Sequence, residues 1–150
     1  MVADYMDKIQ EDKIMAVVTE LIKEENGMLN FGNYELDSKT KLDGFDFQGD
    51  KYKVKTFNEI TKLEKNGSFV YESVPGTAVH DFKASDEVIT FTVEGLEDSQ
   101  ITLELEAGQE YLVIIDGNDT GLVKTNLGGK LNLSVELNPG QVSAIKIEKR

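Results

Sequence analysis

Residues 100–150 alternate short apolar runs with turn-forming residues, and this rhythm constrains the fold more than any other feature of the chain. Runs rich in β-branched residues predict strands at 100–105, 111–115, 122–125, 130–137 and 143–148. Short stretches with Gly or Asn, the residues that tight turns favour, separate successive runs. Strands spaced by roughly 8–12 residues are typical of antiparallel sandwiches and barrels. The segment therefore predicts such a scaffold, and it contains no pattern that indicates a reaction.

The preceding part of the chain continues the pattern, with aromatic and β-branched residues that alternate with polar ones. Strands are predicted around 45–47, 52–54, 69–71 and 91–93, because this alternation fits a half-buried strand. Gln48-Gly49 and Asn66-Gly67 predict tight hairpins, since Gly and Asn tolerate the positive φ that two-residue turns require. About ten strands are expected in all.

A helix is predicted before these strands, at residues 4–26. Its apolar side chains recur at helical spacing and would form one stripe: Ile14, Val17, Val18, Leu21 and Ile22. Asn26-Gly27 is a suitable stop, because many helices end on a residue in the left-handed conformation. The predicted fold class is therefore α+β but mostly β, an antiparallel β-sandwich or barrel-like domain with one N-terminal helix.

The chain is long enough to bury a core without a metal ion or a disulfide. Residues 1–14 are interpreted as an N-terminal extension, a frayed helix, and residues 15–150 as a single mostly-β domain. A subdivision near residue 95 is the alternative. Residues 135–141 echo residues 103–109, either from a duplicated hairpin or from independent use of a common turn.

The net charge of the chain is −12, from 28 acidic and 16 basic side chains. Nucleic acids and anionic membranes attract cationic surfaces, so neither is an expected partner. The most basic stretch contains Lys51, Lys53 and Lys55, which alternate as one solvated face of a strand would. The absence of cysteine excludes disulfides and thiolate metal sites.

The first eight residues are polar and acidic, without the basic start and apolar core of a secretory signal. No apolar run approaches the roughly 18 residues of a membrane-spanning helix. The expected location is the cytoplasm by default, and a processed, secreted form stays open.

The single histidine, His80, is the obvious candidate for a general base near neutral pH. Its neighbour Asp81 would point to the opposite face of a strand, so the two are not an orienting pair. Paired carboxylates could hydrolyse glycosides, and acidic residues cluster twice: Asp43, Asp46 and Asp50, then Glu94, Glu97 and Asp98. With 28 acids in the chain such clusters are weak signals. No catalytic, cofactor-binding or metal-binding residue is assigned.

Residues 116–121 match the start of an EF-hand calcium loop. Position twelve of that loop would be Leu127, where a bidentate Glu is required, and the flanking segments resemble strands rather than helices. An EF-hand is therefore rejected. A hairpin is favoured, with a turn-bound calcium ion as the alternative.

Four segments, 52–56, 59–64, 69–77 and 124–131, resemble a group of small uncharacterised proteins from Gram-positive gut bacteria that often carry the label endosialidase. The resemblance extends from residue 15 to the C-terminus. Phage endosialidases are large trimeric tailspikes with a many-bladed propeller and a β-helical stalk, and 150 residues leave no room for that machinery. The resemblance thus implies a small family and transfers no catalytic residue.

These observations predict a non-enzymatic structural or protein-interaction domain that self-associates. The expected interaction surface is the helical stripe, unless the stripe packs on the sheet of its own chain: Ile14, Met15, Val18, Leu21 and Ile22. Open sheet edges are a second route to a protein partner, because their unpaired backbone groups accept another strand.

Two other functions remain open. A carbohydrate-binding β-sandwich module would stack sugar rings on aromatic side chains, and without Trp these would be Tyr34, Tyr52, Tyr71 and Tyr111. A glycoside hydrolase that acts through paired carboxylates is the third possibility. The expected partners are accordingly a second copy of the chain, another protein or a glycan, with no cofactor.

Overall fold

A computed structural model describes residues 17–150, which form thirteen β-strands in chain order. Seven strands form sheet A, in the spatial order β1 (Ile22–Glu25), β2 (Met28–Phe31), β7 (Ala78–Ala84), β8 (Val88–Glu94), β13 (Ser143–Lys149), β10 (Glu110–Ile115) and β11 (Asn118–Lys124). The other six form sheet B, in the order β12 (Lys130–Val135), β9 (Ser99–Glu104), β6 (Ser68–Val74), β5 (Ile60–Lys65), β4 (Asp50–Phe57) and β3 (Thr40–Phe47). All neighbouring strands are antiparallel, and neither sheet closes on itself.

The two sheets face each other across an apolar core. The buried ring of Tyr71 in sheet B meets the rings of Phe31 and Phe91 in sheet A edge to face, at centroid distances of 5.2 and 5.9 Å. Truncating such an aromatic residue to alanine costs about 3–5 kcal/mol, a large part of the stability of a domain. The predicted antiparallel sandwich is therefore confirmed, and the five strands predicted in residues 100–150 are present as β9 to β13.

Two-residue turns join several strands, at the positions that the sequence predicts. Gln48-Gly49 connects β3 to β4 with φ of 50° and 85°, and Asn66-Gly67 connects β5 to β6 with φ of 50° and 81°. Positive φ at both central residues matches the right-handed twist of paired strands. Asp116-Gly117 repeats this geometry between β10 and β11, with φ of 52° and 80°, so residues 116–121 begin a hairpin as predicted.

The predicted N-terminal helix is wrong within the described residues, and its positions 4–16 lie outside them. A turn closed by the Leu21 N–H and the Val18 carbonyl (2.9 Å) leads into strand β1, so the described chain is all-β. Asn26-Gly27 is the turn between β1 and β2, with φ of 53° and 76°. The positive φ that ends a helix also suits a hairpin turn, which explains the error. The described part of the chain has no helix able to cross a membrane.

Strands from both sides of residue 95 pair in both sheets. In sheet A, β8 pairs with β13, and in sheet B, β6 pairs with β9. A cut near residue 95 would therefore separate hydrogen-bonded neighbours in each sheet. The echoed segments, 103–109 and 135–141, begin in the neighbouring strands β9 and β12, and each contains a glycine with positive φ.

The crossover from β6 to β7 is fastened by buried hydroxyl groups. The Thr61 hydroxyl donates to the Thr77 carbonyl (2.7 Å) and accepts from the Thr77 N–H (3.1 Å). The Thr77 hydroxyl lies 2.7 Å from those of Tyr71 and Ser73, and the Thr56 hydroxyl lies 2.8 Å from that of Thr61. We call these five residues the threonine network. Because buried polar groups are costly when unpaired, the network holds the crossover between the sheets.

Gly32 packs against this crossover at a position with no room for a side chain. A β-carbon there would lie 2.3 Å from the Thr77 carbonyl oxygen, whereas one at Gly27 would meet nothing within 4 Å. Both glycines have positive φ, of 101° and 76°. We expect Gly32→Ala to lower the free energy of unfolding by about 2–4 kcal/mol more than Gly27→Ala, which adds only backbone strain. Urea denaturation measures the free energy of unfolding of both variants. Equal losses would show that the crossover moves to accommodate the added methyl group at little cost.

Candidate functional site

His80 lies in a bulge of β7, on the outer face of sheet A. Its Nδ1 is 3.3 Å from the Oδ1 of Asn30 in β2, and the backbone N–H of Asp81 donates to the same oxygen at 3.2 Å. Asp81 has a φ of 55°, and its side chain is exposed. His80 and Asp81 therefore meet at Asn30 through one ring nitrogen and one backbone amide, and they join β7 to β2.

Glu94, at the end of β8, is a buried carboxylate with 2% exposure. The Tyr34 hydroxyl donates to its Oε1 at 3.3 Å. Burial raises the pKa of Tyr34 well above its usual range, and the negative charge of Glu94 raises it further. The sequence groups Glu94 with Glu97 and Asp98, but the structure gives them different environments. Glu97 is exposed, and Asp98 accepts a backbone N–H of the β12–β13 loop at 3.0 Å.

The other acidic group, Asp43, Asp46 and Asp50, lies in the β3–β4 hairpin. Asp43 accepts a neighbouring backbone N–H (2.8 Å), and Asp46 pairs with Lys51. Asp50 accepts the side-chain amide of Asn66 at 2.8 Å. Asp43 and Asp46 thus serve contacts within the hairpin, and Asp50 joins the hairpin to the β5–β6 turn. Within residues 17–150, no three His, Cys, Asp or Glu side chains gather closely enough to hold a metal ion.

The Asp116 carboxylate fastens its turn to the start of β13. Oδ1 accepts the Ala144 N–H at 2.8 Å, and Oδ2 accepts the Ser143 hydroxyl at 3.0 Å. The Asp116 N–H donates in turn to the Ala144 carbonyl at 2.8 Å. Both carboxylate oxygens, the strongest ligands that a turn-bound calcium ion would use, therefore hold the β10–β11 hairpin in place.

The predicted interaction stripe packs inside the sandwich as far as the structure describes it. Val18 and Ile22 are core residues with 1% and 2% exposure, and Leu21 packs against that core. Ile14 and Met15 lie outside the described residues. This segment therefore contacts its own chain, which is the alternative that the sequence left open.

The tyrosines considered for glycan stacking are all buried: Tyr34, Tyr52, Tyr71 and Tyr111. Tyr71 belongs to the threonine network, and the Tyr111 hydroxyl accepts the Glu106 N–H at 3.2 Å. A stacking platform for a sugar must present its ring face to solvent. These four rings fill the core instead.

The two sheets leave four edge strands, and three of them carry protective features. Natural edges are kept short, bulged or charged, because their unpaired backbone groups invite another strand. Strand β1 has four residues, β3 has a register shift and three charged side chains, and β11 has a register shift and a charge near each end. Strand β12 pairs with β9 over six residues without a shift, and its one charge is Lys130 at the first position.

The open side of β12 presents backbone groups of Asn132 and Ser134. Alternate residues of an antiparallel strand direct their N–H and C=O groups to opposite sides. The Lys130 N–H donates to the Asn126 Oδ1 at 2.9 Å, and the Lys130 carbonyl accepts the Asn126 N–H at 3.2 Å. Both backbone groups of Lys130 therefore point away from β9. Asn132 and Ser134 continue this alternation, so their N–H and C=O groups face the open side of the edge.

The outer face of sheet B carries lysines on three neighbouring strands. Lys41 of β3 is opposite Lys55 of β4, and Lys55 is opposite Lys62 of β5. We call these three the lysine row. None of them forms an ion pair within residues 17–150. The solvated lysine face predicted for β4 is therefore part of a wider basic surface, which the pairing of β3 and β5 completes.

A shallow groove of about 730 Å³ borders the lysine row. Its apolar lining includes Phe57, Ile60 and Val74, on the adjacent strands β4, β5 and β6. We call these three residues the apolar strip. Two carboxylates, Glu59 and Glu97, lie in the loops beyond the strand ends and also line the groove.

No protein-family model, curated protein or solved structure matches the chain. Its function therefore has to be argued from its own surfaces. Two surface features, the β12 edge and the lysine-bordered groove, do not stabilise the folded monomer. An open edge invites aggregation, and adjacent like charges repel each other. Neither is visible in the sequence, because both depend on which strands become neighbours.

Alkaline titration tests the environment of the buried tyrosines. Because burial raises the pKa of Tyr34 and of Tyr71, folding favours their protonated forms. This stabilisation is complete below the unfolded pKa of about 10 and is lost as the pH rises above it. We expect tyrosinate absorbance from both residues only as the circular dichroism of the fold disappears. Tyr34→Phe should reduce by one the number of tyrosines that ionise only on unfolding. Ionisation of Tyr34 in the folded chain would contradict its burial.

Proposed function

We propose that this chain is a non-enzymatic protein-interaction domain that self-associates through the β12 edge of sheet B. The contrast between the four edges carries the proposal, because three are short, bulged or charged and β12 is regular and nearly uncharged. An open edge of this kind favours strand addition, in which main-chain hydrogen bonds supply affinity. A second copy of the chain is the partner that fits it best.

The free backbone groups favour one register between two copies. With Leu133 opposite Leu133 of the second copy on a two-fold axis, Asn132 faces Ser134 and each exchanges both ladder hydrogen bonds with the other. A shift by two residues in one direction would oppose Ser134 to Lys130, whose backbone groups already bond to Asn126. A shift in the other direction would oppose Asn132 to Glu136, which lies beyond the end of β12. The first register therefore pairs the N–H and C=O groups of Asn132 and Ser134 in both copies within β12.

Charge supports the same register. Lys130 would lie opposite Glu136 of the second copy, twice across the axis, while the uncharged Asn132 and Ser134 lie between. Two chains of net charge −12 repel each other at long range, so an edge with opposite charges at its ends is a favourable place for contact. Lys130 also pairs with Glu104 at 2.6 Å, and its ammonium has donors for both carboxylates.

The assembly would be a closed dimer in which sheet B runs through both copies. A two-fold interface uses the same surface on each subunit and leaves no further site for growth. One strand pair buries much less than the ~1,600 Å² of a typical stable complex, so the association should depend on concentration.

Ser134→Pro tests the pairing with little disturbance of the fold. Proline removes the Ser134 N–H on the open side and leaves the β9 ladder intact, as edge strands tolerate. We expect the unaltered chain to dimerise with rising concentration in size exclusion with light scattering. Ser134→Pro should stay monomeric with unchanged circular dichroism.

A pair of lysine variants controls for charge. Gln100 on β9 is the cross-strand partner of Ser134, so Gln100→Lys adds the same charge one strand inside the edge. Ser134→Lys should weaken the dimer by about ten-fold, and Gln100→Lys should leave it nearly unchanged. A chain that stays monomeric at millimolar concentration, or a dimer indifferent to both Ser134 variants, would refute the β12 interface.

A further inference from the structure

We infer that the lysine-bordered groove on the outer face of sheet B binds an acidic, amphipathic helix of another protein. The groove and the lysine row lie on strands β3 to β6, toward the edge of sheet B that is opposite the β12 edge. Helix binding in the groove thus does not require self-association through β12, and both surfaces can be occupied together. The groove combines an apolar strip with a row of lysines that form no ion pair within residues 17–150.

The lysine row is unfavourable in the free protein. Like charges directly opposite each other on neighbouring strands are destabilising, and Lys41, Lys55 and Lys62 form two such pairs. Glu72 of β6 lies opposite Lys62 on the neighbouring strand, yet the two side chains form no ion pair in the structure. Three of the 16 basic residues thus lie side by side in a chain that has 28 acidic residues. An acidic ligand would relieve the repulsion.

The apolar strip supplies the contact area. Phe57, Ile60 and Val74 line the groove, and Val74 is 52% exposed. The Nζ of Lys39 lies 6.0 Å from the Phe57 ring centroid and adds a positive charge at the same rim. Buried apolar anchors contribute most of the affinity in such contacts, whereas charged groups contribute orientation and association rate.

The spacing of these side chains fits a helix that lies across the strands. Neighbouring strands are about 4.8 Å apart, so side chains along a row repeat at that distance. Helix positions three and four residues apart repeat at about 5–6 Å along one face. Lys55 and Phe57 are two residues apart on β4, as are Ile60 and Lys62 on β5, which separates the rows by about 7 Å. An apolar helix stripe with Asp or Glu on one flank therefore meets both rows.

The remaining lining disfavours a uniformly anionic ligand. Glu59 and Glu97 lie beyond the apolar strip, on the side away from the lysine row. A polyanionic glycan would bring its negative charge against these carboxylates, and like charges in contact oppose binding. A matching ligand carries acidic groups only on the side that faces the lysine row. An amphipathic helix with Asp or Glu on one flank has this arrangement.

A labelled synthetic helix with Leu on one face and Glu on one flank is the probe, and fluorescence anisotropy measures its binding to the full chain. We expect Lys55→Gln/Lys62→Gln to weaken binding by about ten-fold and to reduce its salt dependence. Lys83→Gln/Lys124→Gln is the matched control, because these exposed lysines also lack ion pairs within the described residues. The control should change binding by less than about two-fold.

Val74→Asn distinguishes a helix from a polyanion as the ligand. It removes an exposed apolar contact, so peptide binding should weaken several-fold while the circular dichroism stays unchanged. Heparin, a sulfated polysaccharide, is the comparison probe and should bind more weakly than the peptide. Peptide binding that ignores the Lys55/Lys62 pair would overturn the proposal. Heparin binding as tight as that of the peptide and indifferent to Val74→Asn would overturn it too.

Discussion

Thr77 lies in the crossover between the two sheets, and its hydrogen bonds to Thr61 hold the crossover against sheet B. The chain leaves sheet B and enters sheet A at this residue, where buried backbone groups need partners. One hydroxyl, that of Thr61, accepts from the Thr77 N–H and donates to its carbonyl. Tyr71 and Ser73 complete the set through the Thr77 hydroxyl. The close approach of Gly32 to the same carbonyl then positions the end of β2.

The strand order and the registers of sheet B determine where the two proposed surfaces lie. The order of sheet B puts β12 at one edge and β3 at the other. The register of β3, β4 and β5 aligns the lysine row, and the register of β9 with β12 leaves Asn132 and Ser134 at the open edge. A slip of one residue would turn every side chain of a strand to the other face. Both surfaces are therefore products of the packing that fixes the registers.

Features encoded within a short window could be predicted from the sequence. The strands of residues 100–150 and the turn at Gln48-Gly49 each follow from a few adjacent residues. The helix prediction failed at Asn26-Gly27, because the same backbone conformation ends helices and closes hairpins. The surfaces depend on distant residues: Lys41 meets Lys55 only through pairing, and β12 is an edge only because one side of it lacks a strand. Periodicity along a single chain does not contain that information.

Hydrogen exchange at the Asn132 and Ser134 amides, followed by nuclear magnetic resonance at rising protein concentration, examines β12 pairing residue by residue. Each of these N–H groups would donate across the dimer, so pairing predicts that both become protected as the concentration increases. Amides on the open side of β3 should exchange at a constant rate. Unchanged exchange at Asn132 and Ser134, under conditions where the chain is associated, would show that a different surface holds the copies together.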